Sequence, residues 1–124
     1  MAVFLLDAVL DAGLTLIDDN VDELWICSAI PSTYAEASST YALGHKKPPT
    51  ISAAGDAGGG GRKITVTAIT DGTTTGTDTA THWALCKLGT TVLYAAGTLT
   101  APVAVTTGID FTLTEFTITI PDAT

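Results

Sequence analysis

Apolar and polar positions along the chain change their period near residue 20. Over residues 4–17, FLLDAVLDAGLTLI, the apolar positions Leu5, Ala8, Val9, Ala12 and Leu16 recur at i, i+3, i+4 spacing, with Asp7 and Asp11 on the other side. That spacing predicts a short amphipathic helix ending near residues 18–20. Asp7 in its first turns suits the helix dipole, and Gly13 weakens the helix interior.

Residues 21–30, VDELWICSAI, hold a nearly continuous apolar run, Leu24 to Cys27, closed by Pro31. This is the pattern of a buried strand. Residues 32–50 are polar with two tyrosines, and Pro48-Pro49 bars helix and central strand there. We read this stretch as a long ordered excursion or contact loop. Residues 52–63 follow as a glycine-rich loop with four consecutive glycines, expected to be mobile or pressed against a neighbour.

From Lys63 onward the period is two. Ile64, Val66 and Ala68 alternate with Thr65 and Thr67, and Asp71-Gly72 reads as a turn. In THWALCKL, Trp83, Leu85 and Lys87 share one face, while His82, Ala84, Cys86 and Leu88 share the other. TVLYAAGT after Gly89 completes a hairpin, and APVAV is a separate short piece. In FTLTEFTITI, Phe111 and Leu113 have one parity and Phe116, Ile118 and Ile120 the opposite. A β-bulge near Glu115 would reconcile them. The predicted fold is mainly β: an antiparallel β-sandwich or small barrel with a short N-terminal α-helix. It forms one domain over 1–124, with the helix in 1–20, a strand plus long ordered loop in 21–62 and the sandwich core in 63–124.

Composition agrees with a folded chain. The sequence has 124 residues, 46% apolar and 15% charged, which suits one compact core rather than disorder. Five basic against thirteen acidic residues give a net charge of −8, the wrong sign for nucleic acid or anionic lipid. The first ten residues have no basic segment, and Asp7 interrupts the apolar run, so neither a secretory signal nor a membrane span is expected. Synthesis in a cytoplasm follows as the expectation.

The candidate chemistry fails motif by motif. The glycine loop leads through Arg62 and Lys63 into a strand, whereas a phosphate loop needs Gly-Lys-Ser/Thr and a helix. Asp18, Asn20 and Asp22 begin like a calcium loop, but Glu23 replaces the required glycine and Ala29 the bidentate glutamate. His82 and Cys86 lie on one strand face about 13 Å apart, beyond reach of a nucleophile–base pair. They belong to a second layer or a subunit interface. Cys27 and Cys86 form no metal pattern and read as small buried hydrophobes, with a disulfide between them left open. No catalytic residue, metal or cofactor is expected.

The segments LWICSAIPSTYAEASSTYALGHK, GGGRKITVTAITDGT, TATHWAL, LYAAGTL and FTLTEFTITIPDAT, from about residue 22 to the end, resemble small structural proteins of tailed phages and prophages. The resemblance implies a non-enzymatic virion protein, most simply a capsid decoration or cement protein. Its partners would be the major capsid protein and its own copies in a homo-oligomer, a trimer by the same resemblance. The alternative is a tail, collar or fibre-associated component, with carbohydrate binding if Trp25, Trp83 and the tyrosines stand exposed. Tyr34, Tyr41, His45, Lys46 and Lys47 are the candidate interface, since aromatics anchor interfaces and the lysines suit acidic neighbours. An ordinary solvated loop is the competing reading of the same residues. The helix stripe, with Phe4, Leu5 and Val9, is expected to be buried between subunits.

Overall fold

The computed structural model describes residues 7–58 and 61–121. The chain is mainly β, with an antiparallel six-stranded sheet curled into a half-barrel, a small second sheet and one short helix. Helix α1 (Asp7–Asn20) leads into β1 (Glu23–Cys27). A short π-helix (Glu36–Thr40) and β2 (Ala42–Lys46) follow. Then come β3 (Gly55–Asp56), β4 (Arg62–Val66), β5 (Ile69–Thr74) and β6 (Asp78–Lys87). The chain ends in β7 (Val92–Val105), β8 (Phe111–Leu113) and β9 (Phe116–Ile120). The large sheet has the order β7-β6-β1-β2-β5-β8, and the small one β3-β4-β9.

β1 is the middle of the large sheet, and every one of its residues is buried. Alternation explains why. Leu24 and Ile26 stand beside Leu85 and Trp83 of β6 and face the main core. Glu23, Trp25 and Cys27 face the other way, where Trp25 and Cys27 join Ala37, Ala84 and Cys86 in a second, smaller core. The continuous apolar run of the sequence is therefore a strand covered on both sides. The covering layer on the second side is the excursion, which packs Ala37, Tyr34 and Tyr41 onto the sheet.

That excursion is more regular than its sequence predicts. It contains a helical turn and the strand β2, which pairs with β1 on one side and β5 on the other. Ala42 and Gly44 have little intrinsic strand preference, so β2 owes its state to its two neighbours. Gly44 is also required by packing, because a Cβ there would lie 2.7 Å from the Thr73 carbonyl oxygen.

Several local expectations change. Asp71-Gly72 lies inside β5 and makes no turn. Gly72 is there because the Phe111 ring of β8 occupies the space a Cβ would need. The parity change near Glu115 is a change of sheet, not a bulge: β8 pairs with β5 in the large sheet and β9 with β4 in the small one. APVAV is the end of the single long strand β7. The expected hairpin is present between β6 and β7.

The helix face also differs. Leu14 is fully buried and Ile17 packs on the core, whereas Leu16 is 53% exposed and Ala12 is exposed. Asp11, expected on the side away from the core, meets the Arg62 guanidinium of β4 at 2.7 Å, so that side of the helix faces the small sheet. The described part of the helix is thus docked within its own chain. Phe4, Leu5 and the side chain of Val9, named for the subunit-facing stripe, lie outside the described part, as do the Ala8 side chain and Gly59 and Gly60 of the glycine loop. No described helix is long and apolar enough to cross a membrane.

Candidate functional site

The second face of β1 brings together the residues with the most chemistry. Glu23 carries a carboxylate at 1% exposure, where an unpaired charge would cost several kcal/mol. Three partners surround it. The Tyr34 hydroxyl donates to Oε1 at 2.8 Å. The Trp25 indole N–H points to the same oxygen at a long 3.4 Å. The Lys47 ammonium lies 3.0 Å from Oε2, an ionic contact outside hydrogen-bond geometry. Lys47 also sits over the Trp25 ring, 4.9 Å from its centroid, and His45 meets that ring edge-on at 4.9 Å.

Local structure holds these groups in place. Glu36 accepts from the Ser32 N–H at 2.8 Å and the Ser32 hydroxyl at 2.7 Å, while its own N–H donates to Thr33 Oγ1 at 3.1 Å. This resembles a capping box and starts the helical turn that carries Tyr34. The turn closes with the Tyr41 N–H donating to the Glu36 carbonyl at 2.8 Å. Besides the Tyr34–Glu23 bond, the Ser28 N–H donates to the Tyr41 carbonyl at 3.0 Å and Cys27 Sγ to the Ala37 carbonyl at 3.5 Å, tying the excursion to the sheet.

Electrostatics follow from burial. Tyr34 is pushed up to about 12, first by desolvation and then by its hydrogen bond to, and the charge of, Glu23. Desolvation, helped by the Lys47 charge, lowers His45 against an opposing pull from Glu23. The hydrogen bonds from Ser32 hold Glu36 below its ordinary range. Desolvation pushes the Cys27 and Cys86 thiols up to about 12, so neither is a ready thiolate. Both are free. Cys27 faces His82 and Cys86 faces Glu23 in the β1–β6 register, so the two sulfurs stand at opposite ends of the paired segment, too far apart to bridge.

The five residues singled out from the sequence do not form one patch. Tyr34, Tyr41, His45 and Lys47 belong to the second face. Lys46 has the opposite parity and pairs with Asp71 at 3.0 Å. Both lysines are thus matched by carboxylates of their own chain.

No protein family, curated protein or solved structure matches the chain.

Glu23 itself escaped the sequence reading, although a signal was present. In VDELWIC, alternation puts Glu23, Trp25 and Cys27 on one face, and an acid inside a buried strand requires a cation and a donor nearby. The tryptophans named for sugar stacking are covered: Trp25 is 7% and Trp83 9% exposed. Trp83 stacks on Phe116 at 4.6 Å, and on Gly97 a Cβ would lie 2.6 Å from its ring. Among the described residues no three His, Cys, Asp or Glu side chains gather as a metal site. The arrangement around Glu23 is suited to holding a surface in one shape.

Proposed function

We propose that the protein is a structural subunit of a tailed-phage virion, a capsid decoration or cement protein that docks through its excursion and assembles with its own copies. The observation that carries the reading is the fastening of the excursion, on either side of β2, to the central strand through Tyr34 and Lys47 on Glu23. A loop held by a buried carboxylate keeps one conformation, and a preordered surface loses little entropy when it meets a preformed lattice. Partly exposed Tyr41, His45 and Lys47 are the side chains this surface offers. The resemblance of segments 22–124 to small phage structural proteins supports the same reading.

Quantitative mass spectrometry of purified particles tests it. Copies in fixed proportion to the major capsid protein are expected. A handful of copies per particle would move the protein to the tail, collar or fibre, and absence from the particle would overturn the virion role.

A further inference from the structure

β7 is not a regular edge strand. Ala80 faces Val103 and His82 faces Thr98, so residues 99–102 of β7 stand opposite Thr81 alone. Such bulges re-aim side chains and end regular pairing. Here Leu99 turns into the core, while Thr100, Ala101 and Pro102 are exposed. β8 is the edge strand at the other end of the curled sheet.

A cleft of about 330 Å³ separates this bulge from β8, with Trp83, Leu113 and Phe116 among its apolar lining and Thr100 and Thr112 on its sides. It continues past Trp83 into a more open stretch of about 430 Å³ that adds Gly97, Glu115 and Thr117. The groove is therefore elongated, apolar at its base and bordered by two strand edges.

An aromatic base with hydroxyl walls would also suit a sugar. Trp83 argues against that, because Phe116 stacks on its ring and Gly97 lies close enough that even a methyl group would collide with it. The outer edge of β8, whose one neighbour among the described strands is β5, instead presents backbone donors and acceptors that an extended peptide can meet. Charge narrows the occupant. Among the described residues no lysine or arginine lines the groove, Glu115 does, and Asp110 stands exposed just before β8. At a net charge of −8, a second copy brings like charge to this rim, whereas a basic segment complements it.

We propose that the groove between β7 and β8 receives an extended segment of a different protein, one that alternates apolar and basic residues. Its backbone pairs with the edge of β8, its apolar side chains rest on Phe116 at the base of the groove, and its basic side chains reach Glu115 and Asp110. This stands whether or not the protein is a virion subunit.

The test uses the full chain and a fluorescently labelled, capped peptide of alternating valine and lysine, read by anisotropy. Saturable binding is expected, and N-methylation of alternate peptide bonds should abolish it. Thr100→Arg, at an exposed position, should weaken binding about tenfold by placing a cation at the rim, while Thr100→Glu should not weaken it. Absence of saturable binding, equal binding of a valine–glutamate peptide, or indifference to N-methylation would overturn the proposal. So would self-association of the chain that Thr100→Arg abolishes, since the groove would then be an interface between copies.

Discussion

The Tyr34 hydroxyl donates a 2.8 Å hydrogen bond to the carboxylate of Glu23, a side chain 1% exposed inside the central strand. Through this contact the excursion is ordered by the sheet it covers. Tyr34→Phe leaves Oε1 with only the long indole contact and should cost about 1–2 kcal/mol in chemical denaturation. Limited proteolysis should show residues 28–41, which precede β2, opening before the sheet. Lys47→Ala should cost about 1–3 kcal/mol, because it strands a buried charge, and adding Glu23→Gln should recover part of that loss. An additive double variant would show that the two groups are not coupled.

Leu14 and Leu16 separate the observed helix face from the one the apolar spacing predicts. Leu14→Ala empties a fully buried site and should cost about 2–5 kcal/mol. Leu16→Ala, at 53% exposure, should stay within about 0.5 kcal/mol of the parent in the same melts.

Gly72→Ala sets a methyl group into the Phe111 ring. Overpacking of this kind should cost about 1–3 kcal/mol, and Phe111→Leu in the same chain should relieve part of it. A Gly72→Ala protein as stable as the parent would show that β5 and β8 separate readily.

The two thiols should be silent in the native protein. With both pushed up to about 12 and fully buried, Cys27 and Cys86 should resist a thiol-specific reagent at pH 8 and react together in denaturant. Intact mass without reductant should show two free thiols. Rapid labelling of the native chain would contradict the packing of the second core.

His45 gives stability a defined pH dependence. Its folded pKa lies below the ordinary 6.5, so the unfolded chain binds the proton more readily. The neutral ring therefore contributes stability above pH 6.5. That contribution is lost as pH falls from 6.5 through the lowered value, and no more is lost below it. His45→Gln should flatten this part of the stability profile, measured as denaturation midpoints across the window.

Much of the β architecture is legible in local pattern. The run from Leu24 to Cys27 specifies a buried strand, and β1 is one. The alternation of Ile64 and Val66, and of Trp83 and Leu85, specifies which side chains meet the core, since side-chain direction in a strand has period two. The hairpin at Gly89 is equally local. What neighbouring residues cannot encode is which distant segment lies alongside. Phe111 claims the space at Gly72 from another strand, so a turn dipeptide sits inside β5. Pairing of β9 with β4 rather than β5 turns an apparent bulge at Glu115 into a crossing between sheets. Asp11 meets Arg62 of β4, and α1 buries Leu14 rather than Leu16, an orientation set by the surface on which the helix docks. The Glu23 cluster depends on the same kind of information. Its donor lies eleven residues away and its cation beyond β2, and only the antiparallel return of the chain brings both to one carboxylate. Periodicity is a property of consecutive residues, whereas packing and charge pairing belong to surfaces that exist only after the strands have met.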